Sequence, residues 1–270
     1  MEQLVMAAIF FAIALFVRRR EAFAFRWQPA RSTWVAVGAA LLAFAFSIAM
    51  LLFEPGSLPS HLLHYGLIYV VCGVAIPWGY TLLAERAGPA EMGLRREKWL
   101  ASLVLGFVLA VLLSLVIVFE ADLSAIHWGQ FARAAFVLTG AGGLFELFLY
   151  YGFVHLRLEK AFGVIPAILL TAALYVPWHT GTQLPLEADV PAALLKLFAV
   201  GVMYQSAFSL TRNLLVIWPF FHCAGVMIDF AVNLGKVEQV SSRFPWAVGA
   251  LALMAGTGLV LALVSGRERA

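Results

Sequence analysis

The sequence has few charged residues for its length. Charged side chains make up 12% of the 270 residues, whereas a typical soluble domain has about 25%. Hydrophobic residues make up 63%, which is more than a water-soluble chain of this size can bury behind a polar surface. The composition therefore predicts an integral membrane protein that is surrounded by the lipid bilayer.

Cysteine is almost absent, and the net charge is small. Cys72 and Cys223 lie in apolar runs 151 positions apart, which gives neither a disulfide framework nor a paired-cysteine metal motif. A net charge of +3, spread along the chain, does not indicate a nucleic-acid partner. We therefore expect no nucleic acid among the partners of this protein.

Long apolar runs make up most of the sequence. A membrane-spanning helix needs about 20 mostly apolar residues, and the sequence contains nine candidates. They are Gln3–Val17, Trp34–Phe53, His61–Leu83, Trp99–Phe119, Ala132–His155, Val164–Thr180, Ala192–Leu210, Leu214–Leu234 and Trp246–Gly266. Polar and apolar residues do not alternate within the runs, which excludes a barrel. The sequence predicts an all-α, polytopic transmembrane helix bundle of about nine spans, with eight as the alternative because the first run is short.

Lysine and arginine predict the orientation of this bundle. If the N-terminus is outside, 14 of the 18 basic residues fall in inner segments and 4 in outer segments. Inner loops carry such an excess in membrane proteins. The expected topology is therefore N-out and C-in, with the C-terminus in the cytoplasm.

Four ionisable residues lie inside the predicted spans, namely Glu146, His179, His222 and Asp229. Such side chains cost a few kcal/mol at bilayer depth and are candidate functional residues. Each has a structural explanation by itself, such as a protonated carboxyl or an interfacial imidazole. We favour a shared site for these residues. Hydrogen bonds among them would relieve the cost of burying each one, and a carboxylate next to imidazoles would be prepared for general-base catalysis on water. His155 is expected at the membrane interface instead.

The depths of these residues do not match at first sight. Counted from the inner end of each run, Glu146 and His222 lie about nine residues deep and His179 about sixteen, a difference of roughly 10 Å. For the residues to meet, we expect either that 156–170 lies partly along the inner surface or that Pro166 and Pro177 bend the sixth helix.

Three segments carry the candidate residues in order along the chain. They are Glu146-Leu-Phe-Leu-Tyr-Tyr151-Gly152, Tyr175-Val-Pro-Trp-His179 and His222-Cys-Ala-Gly-Val226. This pattern resembles the CPBP family, the CAAX-protease and bacteriocin-processing intramembrane endopeptidases. The signature of that family is Glu-Glu-x-x-x-Arg-Gly, then Phe-x-x-x-His, then His-x-x-x-Asn. The resemblance covers roughly residues 92–231, and the stretch Met92-Gly-Leu-Arg-Arg is similar to the family's entry into this region.

The resemblance implies a role for each matching residue. Glu146 is implied as the general base that activates water, His179 as the residue that holds the same water, and His222 as a donor to the oxyanion. Tyr175 takes the aromatic position, and Tyr151 stands where the family has arginine. Together with Asp229 in the eighth run, these two tyrosines are the expected supporting residues.

The implied activity is hydrolysis of a peptide bond in a membrane-associated protein or peptide precursor, in a prokaryotic cell membrane. No serine in a nucleophile motif and no His-Glu-x-x-His occurs in the sequence, which leaves water as the nucleophile. The implied mechanism uses no cofactor. Zinc held by Glu146, His179 and His222 is the alternative, since three protein ligands plus water form a normal catalytic zinc site.

Three positions depart from the family signature. Leu147 replaces the second glutamate, Tyr151 the arginine and Val226 the asparagine. These departures keep open a catalytically inactive scaffold that binds a membrane partner, and a transporter with a buried Glu/His proton relay is a third interpretation. The predicted organisation is N-terminal transmembrane helices over 1–91, a CPBP-like core over 92–234 and a C-terminal helix over 235–270.

Overall fold

The computed structural model describes residues 2–118, 123–182, 189–220 and 234–267. Every regular element in these ranges is a helix, which confirms the predicted all-α class. The helices are α1 (Glu2–Val17), α2 (Arg31–Met50), α3 (Leu58–Ala84), α4 (Trp99–Val118), α5 (Trp128–Phe162), α6 (Val164–Tyr175), α7 (Val190–Thr211), α8 (Leu234–Ser241) and α9 (Phe244–Arg267). Residues 214–220 are helical as well. Short helical pieces cover Arg19–Ala22, Pro89–Met92, Leu123–Ala125 and Pro177–Gly181.

Six helical segments of the described chain are long and apolar enough to cross a membrane. They are α2, α3, α5, α6 with the turn that follows it, α7 and α9, while α1 and part of α4 are shorter apolar helices. Large apolar side chains such as Phe16, Phe107 and Leu253 are exposed on the outside of the bundle. A soluble monomer rarely exposes apolar surface on this scale, so the architecture is that of a multi-pass integral membrane protein.

Helix α5 is the central helix, and α2, α3, α6, α7 and α9 pack against it. It contains two stretches of wide, π-type turns, Val137–Gly142 and Leu147–His155. Turns of this type are uncommon and often occur at functional sites. Helix α1 packs along α7, and the ring of Phe10 stacks on that of Phe220 at 5.4 Å. The N-terminal helices and the region of the resemblance therefore share one core.

The junction between α5 and α6 is a single residue, Gly163. Its φ angle is +98°, and a Cβ atom at this position would lie 2.8 Å from the carbonyl oxygen of Ala24. Glycine is required here because other residues are disfavoured in this conformation and would clash. The sharp turn makes α5 and α6 antiparallel neighbours, and we call this end of the bundle the Gly163 end.

The structure corrects the expected end of the fifth span. It was predicted to end at His155, in an interfacial position, but α5 continues to Phe162 and His155 is fully buried. Two charged residues beyond it, Arg157 and Glu159, are buried too, and each is paired: Arg157 with Glu85 and Glu159 with Arg18. The last turns of α5 therefore belong to the packed bundle rather than to a loop.

Candidate functional site

Glu146 lies on α5 at the end of a short α-helical stretch between the two wide-turn segments. The residue is 5% exposed, and the hydroxyl of Tyr175 donates a hydrogen bond to its Oε2 at 3.2 Å. A charged group accepts a stronger hydrogen bond than a neutral one. Tyr175 therefore fixes one carboxyl oxygen and leaves the other, Oε1, to face a different partner.

That other partner is His179, in the turn Pro177–Gly181 that follows α6. Its Nδ1 lies 3.2 Å from the carbonyl oxygen of Tyr175 and 3.3 Å from that of Val176. A carbonyl only accepts, so Nδ1 carries the proton of the neutral ring and Nε2 keeps a lone pair. The Nε2 atom lies 4.0 Å from Glu146 Oε1, and the residue is 4% exposed. The two sequence-predicted residues thus face each other in the core.

The depth difference expected from the sequence does not exist in the structure. Glu146 lies 17 residues before Gly163, and His179 lies 16 residues after it. Because α5 and α6 turn back sharply at Gly163, nearly equal distances along the chain place the two residues at the same level. Residues 156–162 continue α5 as a largely buried helix, and the expectation that 156–170 lies along the inner membrane surface stays a prediction. Pro177 does convert the helix into a tighter 3₁₀ turn that carries His179.

A serine on α2 holds this turn, and no sequence pattern indicated this role. The Ser47 hydroxyl donates to the carbonyl oxygen of Trp178 and accepts from the backbone N–H of Gly181, the latter at 2.8 Å. A Cβ atom at position 181 would lie 1.9 Å from the Ser47 carbonyl oxygen, so only glycine permits this approach. We call these two hydrogen bonds the Ser47 bridge, and they fix the backbone on both sides of His179.

Tyrosines surround the carboxyl group of Glu146. The ring of Tyr150 meets that of Tyr175 edge-on at 5.4 Å, and Tyr151 lies against Phe208 at 6.1 Å. Tyr150 and Tyr151 are fully buried, and neither hydroxyl has a hydrogen-bond partner among the described residues. Tyr175 therefore contacts Glu146 directly. Tyr151 was expected to support Glu146 as well, but its hydroxyl makes no hydrogen bond to Glu146 in the described part of the chain. Tyr150 was not expected from the sequence.

Two further sequence-predicted residues, His222 and Asp229, lie outside the described residues, and so does Val226, the position of the missing asparagine. Within the described part of the chain, no group of three or more His, Cys, Asp or Glu side chains is arranged to hold a metal ion. The zinc alternative includes His222 and stays a prediction.

No protein-family model, curated protein or solved structure matches the chain. The chemistry of the site is therefore argued from its geometry. The carboxyl oxygen of Glu146 and the Nε2 atom of His179 lie 4.0 Å apart, too far for a good direct hydrogen bond. Both can instead accept from one water molecule placed between them, at about 2.8 Å from each.

Proposed function

We propose that this protein is an intramembrane endopeptidase that resembles the CPBP family and hydrolyses a peptide bond of a membrane-associated protein or peptide precursor. The observation that supports it most is the facing pair of Glu146 and His179, buried at one level of the bundle. The proposed setting is a prokaryotic cell membrane, with nine spans in the N-out, C-in orientation.

The proposed reaction begins with the water between the two residues. Its two O–H groups point to Glu146 Oε1 and His179 Nε2, which leaves an oxygen lone pair directed at the substrate carbonyl carbon. Glu146 takes a proton as the new C–O bond forms, and the carbonyl becomes an oxyanion. Glu146 then returns this proton to the amide nitrogen, the C–N bond breaks, and a carboxylic acid and an amine are released.

Neighbouring groups support these roles by controlling direction and polarity. The Tyr175 hydroxyl donates to Oε2 and thereby orients the carboxyl group, with Oε1 on the side of His179. The Nδ1–H of His179 is bonded to two backbone carbonyls, so its tautomer presents an unprotonated Nε2 to the same water. By the sequence resemblance, His222 is the proposed donor to the oxyanion.

Two of the family departures have a physical explanation in this setting. Leu147, in place of the second glutamate, is 3% exposed and keeps a second carboxylate out of the buried site. Tyr151, in place of the arginine, is fully buried. A neutral phenol costs less to bury there than an unpaired guanidinium. Both replacements suit a site with a single acidic group.

The test is a cleavage assay on the purified full-length protein in lipid nanodiscs. A pool of synthetic lipid-anchored and membrane-spanning peptides is incubated in water enriched in ¹⁸O, and mass spectrometry identifies new termini. We expect each new carboxyl group to carry one ¹⁸O atom, because water is the nucleophile. Glu146→Gln and His179→Ala should abolish cleavage, and His222→Ala should reduce it strongly.

The matched control is Glu97→Gln, which alters an exposed carboxylate on a loop and should leave cleavage unchanged. Cleavage that persists in Glu146→Gln would exclude the proposed general base. A wild-type protein that binds peptides of the pool but cuts none of them would instead favour the inactive scaffold.

A further inference from the structure

A row of polar residues continues from Glu146 along one face of α5 to the Gly163 end. Tyr151, His155 and Glu159 follow at intervals of five, four and four residues, which keeps them on nearly the same side of a helix with wide turns. Each is at most 3% exposed. Burying one polar group after another inside a membrane bundle is costly, so the row calls for an explanation.

Helix α7 places further polar residues opposite this row. A Cβ atom at Gly201 would lie 3.3 Å from the ring of Tyr175, and two turns later the Ser209 hydroxyl lies 3.2 Å from His155 Nε2. Gln205 is one turn from each of these contacts. Its position on α7 is therefore between the level of Tyr175 and the level of His155, on the side that faces α5 and α6.

Several polar atoms along this interface have no hydrogen-bond partner among the described residues. They are the Tyr151 hydroxyl, the Thr171 hydroxyl of α6, both amide atoms of Gln205 and Nδ1 of His155. All four residues are 0% exposed. An unpaired buried polar group costs about 1–3 kcal/mol, and buried groups of this kind are ordinarily satisfied by protein or by water.

A neighbouring serine is a useful contrast. Ser206 is equally buried on the same helix, and its hydroxyl donates to the carbonyl oxygen of Val202, one turn back, at 2.6 Å. A hydroxyl in a helix can satisfy itself in this way. Other buried polar atoms of the described chain are unpaired as well, among them the hydroxyls of Ser102 and Ser114 on α4. What distinguishes the five atoms above is that they follow one another along the face that leads to Glu146.

The row reaches the surface at the Gly163 end. Glu159 accepts from Arg18 at 2.8 Å and also from Arg212. Arg18 further pairs with Glu21, whose side chain is 57% exposed. From Glu159 to Glu146 the distance along the helix is about 20 Å. The polar row is therefore continuous from an exposed ion-pair cluster to the level of Glu146.

We propose that Tyr151, His155, Thr171, Gln205 and Ser209 line a water path that leads from the Gly163 end to Glu146. The site proposed above consumes one water for each peptide bond and is surrounded by lipid, so it needs a supply route. In using Glu146 as the destination, the path rests on the proposed function. In the N-out orientation it opens to the cytoplasm.

The chemistry of the lining fits water better than an organic ligand. The side chain of Gln205 offers a hydrogen-bond donor and an acceptor, and the unpaired hydroxyl groups of Tyr151 and Thr171 can each donate or accept. His155 Nδ1 offers one further hydrogen-bonding atom. A buried water needs two to four such partners. The ring of Phe208 packs against both Tyr151 and His155 and forms an apolar wall on one side.

X-ray radiolytic footprinting tests the path directly, because it creates hydroxyl radicals from water wherever water is bound. The full-length protein in nanodiscs is irradiated, and mass spectrometry measures oxidation of individual side chains. We expect Tyr151 to be oxidised about tenfold faster than Phe220, which is equally buried and stacks on the ring of Phe10 outside the row. Equal protection of the two rings in the wild-type protein would overturn the proposal.

A pair of variants on α7 sharpens the test. Gln205→Leu keeps the approximate volume but removes both amide partners, and it should lower Tyr151 oxidation several-fold. Ser206→Ala, the adjacent control, should leave it unchanged. This readout involves no peptide cleavage, so the two proposals can fail separately. If the protein cleaves no peptide but its Tyr151 is still oxidised, the peptidase alone is refuted. If the protein cleaves peptides but its Tyr151 is protected from oxidation, the water path alone is refuted.

Discussion

Replacement of Ser47 by alanine tests how far the first helices support the site. Ser47 is 0% exposed, and its hydroxyl bonds to Trp178 and Gly181 across the bundle. Ser47→Ala removes both bonds and leaves a carbonyl and an N–H without a partner in a dry environment. Each unsatisfied backbone group costs about 1–1.5 kcal/mol at the lower end of the usual range, so we expect a loss of roughly 2–3 kcal/mol.

The matched control is Ser206→Ala. This serine is as buried as Ser47, but its hydroxyl only bonds back to its own helix at Val202. Removing such a bond exposes no partner on another segment, and we expect a change within about 0.5 kcal/mol. The measurement is reversible unfolding of both variants in detergent micelles, followed by tryptophan fluorescence. Trp178 reports on the turn itself.

A difference between the two variants of less than about 0.5 kcal/mol would refute the reasoning, because it would mean that the Ser47 bridge contributes no more than a local helix bond. The bridge also fixes the turn that carries His179. Under the proposed function, Ser47→Ala should therefore reduce cleavage even at temperatures where the protein stays folded.

Three further changes have distinct expected outcomes. Gly181→Ala places a methyl group 1.9 Å from a backbone oxygen of α2, so its unfolding free energy should fall by more than about 3 kcal/mol, a larger loss than for any polar truncation on α7. Tyr175→Phe removes the hydrogen bond to Glu146 and should lower kcat about tenfold, which corresponds to about 1.4 kcal/mol, because this bond orients the proposed general base; an unchanged kcat would contradict this role. A hydrogen bond from Lys160 lowers the pKa of Glu91 from 4.5. Because the pair is exposed, it should stabilise the fold by no more than about 0.5 kcal/mol. This stabilisation should be present above pH 4.5 and should be lost as the pH falls through the lowered pKa of Glu91. The Tm difference between the wild type and Lys160→Met should follow that dependence, and a difference constant with pH would contradict it.

The helices could be predicted because membrane insertion demands long apolar runs. The first run, expected at Gln3–Val17, is a helix over Glu2–Val17, and the last, expected at Trp246–Gly266, is a helix over Phe244–Arg267. Composition alone decides such boundaries, since water and lipid separate residues by polarity. It failed at the end of α5, where buried ion pairs allow charged residues to continue the helix.

That Glu146 and His179 face each other could be predicted in part. Both were singled out because an ionisable residue in an apolar run is unusual, and their chemistry suggested that they meet. The level at which they meet depends on where the chain turns, and Gly163 became informative only with its backbone conformation. Ser47 and Gln205 could not be found, because a serine or glutamine in an apolar helix carries no sign of the segment it will face.

The first helices belong to the candidate site as much as the region of the resemblance does. Without α2, the Trp178 carbonyl and the Gly181 amide would lose the partner that Ser47 provides. Each of these buried backbone groups costs about 1–1.5 kcal/mol when it is left unpaired. The 3₁₀ turn that carries His179 is therefore stabilised by α2. It follows that residues 92–234, although they contain every motif residue, lack one of the contacts that hold the Glu146–His179 geometry.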